Sequence, residues 1–152
     1  PGSALKNLTT LMLQNTQVGD AGITALAAPA SPLKSLRDLN HMGSAVTDEG
    51  VLAIAARDSA LASLESLDLG YLELTDASVR ALAAPQTPLK RLAKLGLLET
   101  PVTDEGIAAL AAEDCGLTAP QSIDLQSTEV TREAADAVRR RWPKLAVFVD
   151  AR

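Results

Sequence analysis

The sequence predicts an α/β solenoid, a curved stack of short coils that each give one strand to a parallel sheet and one helix to the opposite side. Two observations carry this. A run of the form L-x-x-L-x-L recurs with its second leucine position at Leu11, Leu39, Leu67, Leu95 and Ile123, each 28 residues after the last. Within each copy the apolar spacing then changes from two, as at Leu11 and Leu13, to three, as at Ile23 and Leu26, the periods of a strand and a helix. Composition agrees. The 152 residues are 47% hydrophobic and 22% charged, which suits one packed domain and excludes a disordered chain. Aromatic residues are only 2%, so the core must be aliphatic.

The elements follow in order within each copy. The strand leucines come first, as in Leu8-Thr9-Thr10-Leu11-Met12-Leu13 and Leu64-Glu65-Ser66-Leu67-Asp68-Leu69. Seven residues past each anchor stands another aliphatic: Val18, Val46, Leu74, Val102 and Val130. Gly19, Thr47, Thr75, Thr103 and Thr131 then fall where helix N-caps belong, and acidic residues after them suit the positive end of the helix dipole. Alanine-rich helical runs begin at Ile23, Val51, Val79 and Ile107, and Pro29 and Pro85 end two of them, because proline cannot continue the hydrogen-bond ladder. A returning stretch brings Leu33 and Leu36, Leu61 and Leu64, or Leu89 and Leu92 back to the core. One coil cannot bury its own apolar face, so neighbours stack. Strands lie about 4.8 Å apart and helices about 8–10 Å, which curves the stack with its sheet inside.

These residues resemble the leucine-rich repeat family, in particular its long ribonuclease-inhibitor-like class, from about Leu5 to Val149. The resemblance implies a right-handed horseshoe segment with parallel strands on the concave face and α-helices on the convex face. Members usually carry Asn or Cys three residues after the last strand leucine, where this chain has Thr16, Ser44, Leu72, Thr100 and Thr128. The hydroxyls can take over that bend and Leu72 cannot, so the third turn is expected to differ locally. Pro120 replaces the first leucine of the fifth copy and is expected to loosen that segment.

The expected organisation is a tag remnant at residues 1–3, repeats over residues 4–131, and a cap over residues 132–152 with a helix near Arg132 to Trp142 and a last strand near Leu145 to Val149. The cap holds six Lys/Arg against three Asp/Glu, a balance of +3, which leaves −8 on residues 1–131 of the −5 total. The amino end starts on Leu5, Leu8, Leu11 and Leu13 with nothing ahead to cover them. The chain is therefore expected either to continue a longer repeat protein or to cover this edge with another chain.

Several function classes drop out. The net charge of −5 and the three aromatics, Tyr71, Trp142 and Phe148, leave no basic footprint or stacking platform for nucleic acid. No apolar run is long enough for a membrane span and the start lacks a secretory signal, so a reducing cytoplasm is the expected compartment, with export as an effector left open. No Gly-rich phosphate loop, H-E-x-x-H, G-x-S-x-G or C-x-x-C is present, so no catalytic residue, metal or cofactor is expected. His41 takes a strand-leucine place and is read as an inward residue. Asp48-Glu49 and Asp104-Glu105 are read as helix-start electrostatics, and Cys115 as a free loop thiol.

What remains is a binding surface on the inner face. Residues of opposite parity to the leucines supply it: Met12 and Gln14; Asp38, Asn40 and Met42; Asp68; Lys94 and Leu98; Asp124 and Gln126, with Tyr71 as an aromatic anchor at the rim. Apolar side chains beside carboxylates suit a protein or peptide carrying basic residues. The expected role is a non-enzymatic interaction module, taken by resemblance as the recognition arm of a larger bacterial protein. Two others stay open: an assembly module that self-associates through its amino edge, and the substrate-recognition part of an enzyme such as a ubiquitin ligase.

Overall fold

Every anchor leucine lies beside the next on a neighbouring strand. In the computed structural model, which describes residues 4–150, six parallel strands form one open sheet in sequence order. They are β1 (Thr10–Met12), β2 (Asp38–Asn40), β3 (Ser66–Asp68), β4 (Lys94–Gly96), β5 (Ser122–Asp124) and β6 (Ala146–Phe148). Leu11 pairs with Leu39, Leu39 with Leu67, Leu67 with Leu95, Leu95 with Ile123, and Ile123 with Val147. The tag-remnant reading of residues 1–3 lies outside the described residues.

Behind each gap between strands runs one helix: α1 (Asp20–Ala27), α2 (Asp48–Ala55), α3 (Asp76–Ala83), α4 (Asp104–Ala111) and α5 (Arg132–Arg141). Thr47, Thr75, Thr103 and Thr131 cap four of them, each hydroxyl accepting a backbone N–H of the first turn. Gly19 starts α1 without a side-chain cap. It is small for another reason: a Cβ there would stand 2.9 Å from the Ala45 carbonyl oxygen. Between sheet and helices lies one aliphatic core in which Leu36, Leu64, Leu67, Leu69, Leu82, Leu92 and Ile107 are essentially sealed from solvent. Each such side chain contributes about 1.5–3 kcal/mol by burial, and it does so only because the coils on either side are in place.

The coil is also stitched by polar ladders of the same period. After each helix, Ser31, Ser59 and Thr87 are buried, and each accepts the backbone N–H two residues on, from Leu33, Leu61 and Leu89. Cys115 fills the fourth place in this series, half-buried, with the Leu117 N–H directed to its sulfur. In the bends after the strands, Thr16, Thr100 and Thr128 donate to the carbonyls of Leu13, Leu97 and Leu125 at 2.7–2.8 Å. Every bend turns on a left-handed residue at the same place: Asn15, Gly43, Tyr71, Glu99 and Ser127 have φ between 52° and 63°.

The third bend therefore has the backbone of the others. Its difference is confined to Leu72, which is buried among the apolar side chains instead of bonding a carbonyl. Pro120 behaves as expected: Leu36, Leu64 and Leu92 each donate to the carbonyl three residues back at 3.1 Å, and proline has no N–H for that bond. Pro120 stays buried, so the fifth coil loses a turn without losing contact with the core.

At the amino end one turn of 3-10 helix (Ala4–Asn7) precedes β1, where the sequence suggested nothing ahead of it. None of its residues is buried, and Leu8, Leu11 and Leu13 are only half-buried, unlike their equivalents in later coils. At the other end α5 and β6 form the last described coil. Trp142 Nε1 donates to the Leu110 carbonyl at 2.9 Å, and the Arg141 guanidinium lies 4.4 Å over its ring. No helix of the described residues is long and apolar enough to cross a membrane.

Candidate functional site

Because side chains alternate along a strand, the residues flanking the buried anchors point to the open face of the sheet. Two columns result. Thr10, Asp38, Ser66, Lys94, Ser122 and Ala146 form one, at the start of the strands; Met12, Asn40, Asp68, Gly96, Asp124 and Phe148 form the other, at their ends. Met12 is 54% exposed and Phe148 51%, a large amount for side chains of this kind.

The carboxylates of the second column already have structural work. Asp68 Oδ1 accepts the Gly70 N–H at 3.1 Å, Asp124 Oδ1 accepts the Gln126 N–H at 3.0 Å, and Asn40 Oδ1 accepts the Met42 N–H at 3.0 Å. Each residue thus shapes its own bend, and neighbouring rungs touch where Asn40 Nδ2 reaches Asp68 Oδ2 at 3.4 Å. An ionised carboxylate has about four acceptor sites, so both aspartates keep capacity toward the open face. In the first column Thr10 donates to Asp38 at 3.4 Å.

Other residues of the sequence-derived set lie in the bends, not on the strands. Gln14 and Gln126 are exposed, and Met42 and Leu98 are half-buried, as Asn40, Asp68 and Asp124 are on the strands. The strands end at Met12, Asn40, Gly96 and Asp124, so Gln14, Met42, Leu98 and Gln126 come after the pleat and do not belong to its alternation. Tyr71 is 49% exposed at the rim and holds the left-handed bend position, φ 58°. Phe148 was missed as a face residue. The step from Ile123 to Val147 is 24 residues, so a fixed count of 28 passes over it; only the parity of Ala146 and Phe148 about Val147 reveals it.

Gly96 interrupts the second column. Around it lies a depression of about 270 Å³ walled by Ser66, Asp68, Lys94, Ser122, Asp124 and Phe148 and floored by Leu67 and Leu95. It runs on toward the strand starts into a second depression of about 440 Å³, which shares Ser66 and Lys94 and includes Glu65, Lys90 and Arg91. A larger apolar hollow, about 460 Å³ between Pro120, Trp142 and Pro143, lies at the returning edge between β5 and β6, off this face.

Charge is divided across the sheet. Asp48, Glu49, Asp76, Glu99, Asp104 and Glu105 follow the strand ends, while Lys34, Arg37, Lys90, Arg91 and Lys94 precede or begin the strands. Arg37 and Arg91 share Glu65, at 3.4 and 2.6 Å. Lys94 is exposed and takes part in none of the ion pairs among the described residues.

The aspartates at the helix starts turn out to do more than complement a dipole. Asp20 accepts the Thr47 N–H at 2.8 Å, the Thr47 hydroxyl at 2.6 Å and the Gly50 N–H at 3.0 Å. Asp48 does the same for Thr75, and Asp76 and Asp104 reach Thr103 and Thr131. Burial alone would raise the Asp48 carboxyl, but the Ser78 and Thr75 hydroxyls and both backbone N–H groups outweigh it and hold it below its ordinary value. Asp20 is lowered in the same way, by Thr47 and Gly50 against its own burial and the nearby Asp48. These carboxylates join coil to coil and are spoken for.

His41 faces inward and is fully buried, with Nδ1 3.0 Å from the Ser44 hydroxyl and Nε2 facing no partner among the described residues. Burial lowers its pKa. Burial also pushes the Cys115 thiol up, against the Leu117 N–H and Arg141. Neither group reaches the open face.

An open parallel sheet with rungs at a fixed interval and one helix behind each defines a repeat solenoid, a class that works by presenting a surface. A family model described as Leucine Rich repeat matches residues 4–27, the first coil, and the later coils repeat that coil in register. The first coil is thus similar to a leucine-rich repeat, and the six-stranded sheet with a helix behind each gap is consistent with a solenoid of such units. Such folds are typically binding scaffolds and generally take proteins as partners, and the match indicates no catalytic family. No curated protein matches the chain.

Proposed function

We propose that this chain is a non-enzymatic recognition module that holds a protein or peptide on the inner face of its sheet, with residues 4–131 as the repeat body and residues 132–152 as its cap. One observation carries the reading: Phe148 stands half-exposed over a sheet depression beside Asp68, Asp124 and Lys94. An apolar anchor of this kind supplies contact area, and the charges around it select orientation. Met12 and Asp38 extend the same face toward β1.

Selection from a random peptide library displayed on phage tests this. The expected binders carry an apolar residue and compete with one another, and Phe148→Ser weakens them by about tenfold or more, as loss of an aromatic anchor does. Binders that are indifferent to Phe148→Ser and map to helices α1–α5 would refute it. A second reading rests on the other end of the stack, where β1 pairs only with β2 and Leu8 and Leu11 remain half-exposed. In that reading two chains meet edge to edge. Sedimentation across a wide concentration range separates the two, since only the second expects a dimer that Leu11→Lys dissolves.

A further inference from the structure

The groove over Gly96 has opposite charges at its two ends, and this sets a condition on what can lie in it. Lys94 stands at the strand-start end, exposed and outside the ion pairs. Two residues further along the same strand Gly96 leaves a gap, with Asp68 on one neighbouring rung and Asp124 on the other. Asp68 leans into this gap: its Oδ1 lies 2.6 Å from where a Gly96 Cβ would stand. With strands about 4.8 Å apart, the two aspartate rungs are about 10 Å apart, room for one cationic head group between them. Phe148 closes the far side.

We propose that the groove takes an extended peptide segment lying along β4 whose acidic and basic side chains stand two positions apart, the acid over Lys94 and the base between Asp68 and Asp124. This rests on the inner-face reading above and sharpens it to a ligand class. The spacing follows from strand geometry. Lys94 and Gly96 are separated by about 6.6 Å along the strand, the distance between residues i and i+2 of an extended chain, which share one face. A segment with its charges three apart would point one of them away. The base matches the carboxylates' remaining acceptor capacity, and the acid matches Lys94, which stands over β4 outside the ion pairs among the described residues.

Fluorescence anisotropy with labelled, end-blocked peptides tests the idea. One set carries Glu and Arg two positions apart, in both orders; a control set of the same composition places them three apart. The two-apart spacing is expected to bind about tenfold tighter in at least one order. Lys94→Glu, a change at an exposed position, is expected to remove that advantage and to favour a peptide in which Arg replaces the Glu. Gly96→Val is expected to weaken all of them by filling the groove. Equal affinity for both spacings in the native chain and in Lys94→Glu overturns the proposal, as does no binding by either set. The amide signals of Ser122 and Phe148 separate the two levels: if they shift on binding with equal affinities, only the charge spacing fails; if bound peptides leave them unmoved, the inner-face reading fails with it.

Discussion

His41 is the one polar residue in a column otherwise filled by Leu13, Leu69, Leu97 and Leu125, and its Nε2 is buried without a partner among the described residues. Leaving a buried polar atom unpaired costs about 1–3 kcal/mol. His41→Leu is accordingly expected to raise stability by about 1–2 kcal/mol in urea melts at neutral pH. The sign of its pH effect follows from the lowered pKa. Between that value and the ordinary one near 6.5 the unfolded chain binds more protons than the folded one, so stability is full above about pH 6.5 and falls as the pH drops below it. The leucine variant should lack this first acid phase. Cys115 offers a second test at this scale. It occupies the slot of Ser31, Ser59 and Thr87, and burial raises its thiol. Cys115→Ser is expected to change stability by less than about 1 kcal/mol, and the native thiol should react with a disulfide reagent at neutral pH more slowly than in urea. Equal rates would contradict the assignment.

At the scale of the element, the helix starts are joined across coils by the aspartate–threonine contacts. Asp48→Asn removes the charge from the hydrogen bonds to Thr75 and Ser78. Charged hydrogen bonds are worth about 1.5–3 kcal/mol when buried, less where solvent reaches them, so a loss of about 1–2 kcal/mol is expected. A double-mutant cycle with Thr75→Val should show coupling, since the two side chains meet directly. The pH dependence belongs here as well. With Asp20 and Asp48 held below 3.8, their contribution is present above that value and lost as the pH falls through the lowered ones. This second acid phase should persist in His41→Leu and shrink in Asp48→Asn. None of these contacts was legible in the sequence. Asp48 and Thr75 are 27 residues apart, and only the register between coils brings them together; at the level of pattern, an aspartate after an N-cap says helix start and nothing more. Cys115 shows the same limit, because its place in the Ser/Thr series becomes visible only once the returning turns are superposed.

For the whole molecule, the interval of 28 residues made strand order, helix positions and the inward set readable, because a repeat that cannot bury itself has few ways to pack. The open face followed by parity as far as the strands ran. Counting by 28 passed over Phe148, where the interval shortens to 24. The groove was half legible: Lys94, Asp68 and Asp124 were in the set, but the gap at Gly96 that joins them is a matter of depth, which spacing does not encode. The central claim is that the 28-residue coil is a unit that stacks in register. It is tested most directly by excising residues 39–66, which joins Asp38 to Leu67, beside an excision of residues 39–65 that shifts the junction by one residue. Thermal unfolding followed by circular dichroism should show a cooperative, helical chain with a lowered midpoint for the first and loss of cooperative folding for the second. Equal behaviour of the two deletions would contradict the account.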